Sequence, residues 1–140
     1  MTSIKALKKT LTLKSDPKEV VLVEVFLENL NKQLHLDDTS FNKLLVATTE
    51  AVNNSIVHGN KRNPEKFVTV TFELVDKKIT ISVEDEGGGL DPEALPDPLT
   101  EENLLRENGR GVFLMRSLMD KVTFKKTTSG AVVIMNLNYK

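Results

Sequence analysis

The sequence predicts an α+β fold, a two-layer sandwich in which a mostly antiparallel sheet carries helices on one face. Two patterns lead there. Apolar residues recur at spacings of three and four early in the chain and at period two in later stretches, and those stretches come as adjacent pairs joined by short polar turns. Strands grouped as hairpins, with helices between the groups, assemble an antiparallel sheet.

Taken in order, alternation predicts a strand over Thr10–Lys14, with Leu11 and Leu13 on one face. Asp16-Pro17-Lys18-Glu19 starts a helix: Asp16 caps it, Pro17 loses no hydrogen bond at the first helical position, and Glu19 completes a capping box. Val20, Val23, Leu27, Leu30 and Leu34 form its apolar stripe, and the helix runs to about Gln33. A second helix starts after Thr39-Ser40 and runs to Gly59, a residue suited to stop it. Its buried stripe is Phe41, Leu44, Leu45, Thr48, Val52, Ser55 and Ile56. Strands follow over Phe67–Val75 and Lys78–Asp85 around an Asp76-Lys77 turn, with Val68, Val70, Phe72 and Leu74 facing one way, as do Ile79, Ile81 and Val83. A short helix over Gly111–Asp120 and a hairpin of Val122–Lys126 with Ala131–Asn138 close the pattern.

Composition narrows the function. A chain of 140 residues suits one compact domain, so 1–140 is read as a single unit. The absence of cysteine excludes disulfides, thiolate metal sites and thiol chemistry, and two histidines cannot build a histidine-rich metal centre. A formal net charge of -1 argues against a partner held by overall charge, so no direct nucleic-acid contact is expected. No stretch resembles a secretion signal or a membrane span, so the expected address is cytoplasmic, away from membranes. Charge is nonetheless uneven: the segment from Glu84 to Glu102 holds eight acids and no lysine or arginine, leaving +7 for the rest. With Pro92, Pro96 and Pro98 it reads as a long loop, of the kind that serves as a lid or binding segment.

Three constellations carry chemistry. Period-two alternation through Ile79, Ile81 and Val83 places Asp85 on the apolar face at its strand's end, where an unpaired carboxylate costs several kcal/mol. The alternation also allows the strand to end at Val83, with Asp85 merely opening the loop. The glycines of Asp85-Glu86-Gly87-Gly88-Gly89 leave room for a flat ligand against the backbone, and a buried carboxylate accepts well from an exocyclic amine such as that of adenine. A guanine carbonyl would be rejected there, by about 10⁴-fold in sites of this type. On the second helix Glu50 and Asn54 share a face one turn apart, with His58 beyond; the stripe lies away from the core side and reads either as a solvated face or as a place for hydrated magnesium and an activated hydroxyl. His58 reads as a helix-end residue, favourable with the dipole. Asn108-Gly109-Arg110-Gly111 opens a helix whose N-terminal N–H groups suit phosphate oxygens, with Arg106 and Arg110 the first positive charges after the acidic run. The Walker-type loop and the protein-kinase signature set are both missing.

Together these pieces resemble the superfamily of ATPases named for gyrase, the heat-shock chaperone, histidine kinases and the mismatch-repair ATPase. Glu50 to Gly59 is similar to its Glu-x-x-x-Asn helix motif, Asp85 to Gly89 to its Asp-x-Gly-x-Gly adenine motif, and Gly109 to Met115 to its Gly-x-Gly lid-end motif. Within it the chain most resembles the bacterial anti-sigma-factor serine kinases, over about residues 10 to 138. The resemblance implies the Bergerat-type, histidine-kinase-like ATPase fold, with ATP and Mg²⁺ bound. It implies that Asp85 accepts the adenine amine, with Gly87 and Gly89 letting the loop approach. Asn54 then ligates Mg²⁺, Glu50 is the general base toward a serine hydroxyl, and Gly109 and Gly111 hold phosphates, with Arg110 as a further phosphate contact under a lid of about 86–108. It implies a homodimer that sequesters a sigma factor and phosphorylates a small STAS-type antagonist protein. Thr10–Lys14 and the first helix are the expected contributors to the dimer. Two other readings stand beside it: a module that binds ATP and a protein without phosphoryl transfer, and the ATP-binding half of a histidine kinase. The second is disfavoured for want of a helical hairpin bearing a phosphorylatable histidine.

Overall fold

The computed structural model describes residues 5–87 and 110–139. β1 (Ala6–Lys14) leads through a 3₁₀ turn (Pro17–Val20) into α1 (Val21–Leu34) and α2 (Asp38–Asn54), which continues as a π-helical turn (Ser55–Gly59). The hairpin of β2 (Phe67–Val75) and β3 (Lys78–Asp85) follows, then α3 (Arg110–Leu118) and the hairpin of β4 (Lys121–Lys126) and β5 (Ala131–Asn138). The five strands lie in the order β1-β2-β3-β5-β4, every neighbouring pair antiparallel. This is the α+β sandwich that the hairpin grouping predicts.

Alternation places the core. Val68, Val70, Phe72 and Leu74 of β2, Ile79, Ile81 and Val83 of β3, and Met135 of β5 are buried on the face that α1, α2 and α3 cover with Val23, Leu27, Leu44, Val52 and Met115. The other face presents Thr10, Thr12, Thr69, Thr71, Thr80 and Ser82 and is only partly shielded. There the Asn136 side-chain amide donates to the Thr80 hydroxyl at 2.9 Å. One buried face and one polar face is the usual economy of an antiparallel sheet.

The departures from expectation have local causes. β1 starts at Ala6, four residues earlier than alternation indicates, and pairs with β2 from Ala6↔Val75 to Lys14↔Phe67. Lys8 and Lys9 are both exposed on this edge strand, so backbone pairing rather than side-chain pattern sets its length. Asp16 does cap, accepting from the Lys18 N–H at 3.0 Å, but the turn it opens is 3₁₀ and the α-helix proper begins at Val21. Glu19 closes no capping box; its carboxylate accepts from the Lys14 N–H at 2.8 Å and ties the helix entry to β1. The second helix starts at Asp38 rather than after Ser40, because Asp37 is the cap, accepting from the Ser40 N–H at 3.3 Å. Ala47 and Ala51 join its buried side, small residues that hydrophobic spacing alone passes over.

Phe72 has no exposed surface, whereas Val75 on the same strand is 58% exposed. Phe72→Ala is expected to lower stability by about 3–5 kcal/mol and Val75→Ala by less than about 1 kcal/mol, read as the difference between their urea unfolding curves.

Candidate functional site

Asp85 ends β3 on the buried face, 6% exposed, in register with Val68 of β2 and Ala131 of β5. The strand therefore runs past Val83, and the reading in which Asp85 merely opens a loop is set aside. One carboxylate oxygen, Oδ1, accepts from the Gly87 N–H at 3.1 Å. Burial pushes the carboxyl above the ordinary aspartate range; hydrogen bonds from the Gly87 and Ala131 amides and the Ser55 hydroxyl pull it back, and the charge of Glu84 adds to the upward push.

The helical run ends at Gly59, as the sequence predicts, but not because glycine is needed to stop it. Its last turn is π, closed by the Asn60 N–H on the Ser55 carbonyl at 2.7 Å. What demands glycine is proximity: a Cβ on Gly59 would collide with the Asp85 carboxylate, and one on Gly87 with the Gly59 carbonyl. The end of α2 and the end of β3 thus meet backbone against side chain. His58 is exposed on the same turn.

Glu50 and Asn54 do not look out to solvent as the helical angle from Thr48 indicates. Both are half-buried, because α3 packs on that side of α2. The contact is made at Gly111, where a Cβ would lie 3.0 Å from Glu50 Oε2, 3.0 Å from Asn54 Nδ2 and 3.3 Å from Asn54 Oδ1. Gly111 is the second residue of α3, which starts one residue earlier than the sequence predicts. Among the described residues two buried side-chain atoms have no hydrogen-bond partner, Thr48 Oγ1 and Asn54 Nδ2. A buried amide edge left open beside a carboxylate is costly unless something else completes it.

Asp85, Gly87, Glu50, Asn54 and Gly111 are thus all placed on one run of α2 and its neighbours, and Arg110 opens α3. Gly89, Gly109, Arg106 and the lid segment from residue 88 lie outside the described residues. Asn60 was missed. It is 2% exposed and bonded to three other segments, yet Asn60-Lys61-Arg62-Asn63 reads in sequence as a solvated turn.

Residues 13–137 match the family model described as the histidine kinase-like ATPase domain. The chain belongs to that family. Among curated relatives, this histidine kinase-like ATPase domain is similar to the serine-protein kinase RsbW of Staphylococcus epidermidis, 40% identical over 97 residues, and to that of Staphylococcus aureus, 37% identical over 97 residues. Each match covers 64% of this chain and 60% of the relative, so the chain spans about three fifths of the length of the kinases it matches. Among solved structures, the RsbU and RsbW domains of Rv1364c from Mycobacterium tuberculosis superpose with a TM-score of 0.70 at 16% identity, over 94% of this chain and 32% of that one. The catalytic domain of the histidine kinase ThkA gives 0.56 at 14% identity, over 93% and 96%. These two likenesses establish the fold. Among the described residues of this ATPase domain no helix is long and apolar enough to cross a membrane.

Asp85 gives a pH test. Its folded pKa is raised, so between the ordinary aspartate value and that raised value the folded chain binds more protons than the unfolded one, and stability falls as pH rises through the interval. Asp85→Asn is therefore expected to unfold at no lower urea concentration than the natural chain at pH 7, with its advantage shrinking as pH drops toward 4. Urea curves at a series of pH values check it.

Proposed function

We propose that this chain is an ATP-dependent serine protein kinase of the anti-sigma-factor type, cytoplasmic and homodimeric. In this reading it sequesters a sigma factor and phosphorylates a serine of a small STAS-type antagonist, and residues 1–140 are one ATP-binding unit with a lid of about 86–108. Its similarity to serine-protein kinases named RsbW supports the activity.

One observation carries it: α2 and its π extension link a buried carboxylate to an acid–amide pair. Gly59, against Asp85, lies nine residues beyond Glu50, about 13 Å by helical rise. A ligand touching both ends must be elongated, with a hydrogen-bond donor for Asp85 at one end and a group that the acid–amide pair can bond, directly or through a cation, at the other. ATP meets that description. Asp85 would accept from the adenine amine, its Oδ1 already held by the Gly87 amide. Gly111, with Gly109 and Arg110, would receive the phosphates where the α3 backbone N–H groups begin. Gly89 would belong to the base end.

The donor set also fits magnesium. Among the described residues no group of three or more His, Asp or Glu side chains could hold a metal, so the ion would take most of its ligands from phosphate and water, as Mg²⁺ prefers. Asn54 would supply a carbonyl oxygen, and its open N–H edge would bond a phosphate or water oxygen. Mg²⁺ held there with Asn54 as a ligand would supply neutralisation of the phosphate charge. Glu50 would accept the serine proton as the serine oxygen bonds to the γ-phosphorus and the bond to the ADP oxygen breaks. Half-burial beside Gly111 limits the room open to that carboxylate.

Two variants test the reading with radiolabelled ATP and a candidate antagonist protein. Asp85→Asn is expected to abolish ATP binding while the chain stays folded; wild-type affinity in that variant removes the adenine assignment. Glu50→Ala is expected to bind ATP normally and to slow transfer by 10²-fold or more, the scale for losing a positioned base. Undiminished phosphorylation by it removes the base role, and no transfer by the natural chain leaves the ATP-binding module as the reading.

A further inference from the structure

Behind Asp85 lies a buried polar knot that the proposed reaction does not use. Its centre is Asn60, whose Nδ2 donates to Ser15 Oγ at 2.7 Å and to the Phe67 carbonyl at 3.0 Å, while its Oδ1 accepts from the Glu86 N–H at 2.8 Å. The Ser15 hydroxyl donates onward to the Lys66 carbonyl at 2.7 Å, and the Phe67 N–H donates to the Glu86 carboxylate at 2.5 Å. One side chain thus ties the ends of β1 and β3 to the start of β2, from a position at the end of α2.

The backbone around it is committed as well. Lys61 and Arg62 both take left-handed conformations, with φ of 53° and 58°, an uncommon pair for residues bearing side chains. The Arg62 N–H is held by the Ile56 carbonyl at 2.8 Å. Such a path persists where several contacts over-determine it, and Asn60 supplies three of them.

The bond to Glu86 is the informative one, since that N–H belongs to the peptide unit joining Asp85 to Glu86. Asn60 therefore grips the backbone beside Asp85, while its own neighbour Gly59 lies against the Asp85 carboxylate. Binding groups discriminate only when held to within a few tenths of an ångström. We propose that Asn60 is a positioning residue for the purine site: it touches no ligand, but fixes the Asp85–Glu86 peptide so that the carboxylate presents its free edge to the base. The proposal rests on Asp85 being the adenine acceptor. Ser15 shares the knot without touching the Asp85–Glu86 peptide, and so separates positioning from general support.

The experiment measures ADP affinity by calorimetry for the natural chain, Asn60→Ala, Ser15→Ala and Asp85→Asn, at a temperature where each is folded by circular dichroism. Both knot variants are expected to melt earlier. Asn60→Ala is expected to raise the ADP Kd tenfold or more, and Ser15→Ala less than threefold. Equal Kd values for these two overturn the proposal. Wild-type affinity in Asp85→Asn overturns instead the purine reading beneath it. Hydrogen exchange on the natural chain covers the case in which Asn60→Ala does not fold: the Glu86 amide should be protected, and more so at saturating ADP. Exchange at an unprotected rate, unchanged by ADP, overturns the proposal equally.

Discussion

A carboxylate buried at the end of a central strand is the constraint from which the rest of the site follows. Asp85 is desolvated enough that its proton is held more tightly than an ordinary aspartate's, and burial alone would make it a liability. Three donors offset that: the amides of Gly87 and Ala131 and the hydroxyl of Ser55, drawn from the loop after β3, from β5 and from the end of α2. Each fixes one element relative to the carboxylate. The glycine at position 59 is a consequence, because the end of α2 must come closer to Asp85 than any side chain permits.

The same logic governs the other end of α2. Helices normally keep 8–10 Å between axes because side chains intervene. At Gly111 the α3 backbone comes directly against the Glu50 and Asn54 side chains. An acid and an amide packed under a second helix are set apart from a solvated helix face, where side chains move freely. The open amide edge of Asn54 is a polar cost that folding by itself does not explain.

The low identity to the solved relatives has a simple physical reading. At 16% identity and a TM-score of 0.70, what this chain shares with the M. tuberculosis RsbW domain is arrangement, and arrangement depends on pattern more than on residue identity. Val68 to Leu74 and Ile79 to Val83 need only to alternate, and any residues of similar volume would build the same sheet. The positions with least room for exchange are those of close approach around Asp85: Gly59 against its carboxylate, Gly87 against the Gly59 carbonyl and Gly130 against the Asp85 carbonyl.

The sequence by itself determined the helix and strand pattern, the hairpin pairing and the grouping of Glu50 with Asn54, and it made Asp85 a candidate for burial that the extent of β3 then decided. All of these are local periodicities, and a period of two or 3.6 is written in the order of residues. Only the tertiary structure decided which way the Glu50 stripe looks, since that depends on a helix some sixty residues later covering it. It also decided why Gly59 is glycine, which is a matter of distance to β3 rather than of helix termination. Asn60 shows the limit most plainly: a polar residue in a polar run carries no sign that it is buried. Burial there is conferred by Ser15, Phe67 and Glu86, partners 45, 7 and 26 residues away.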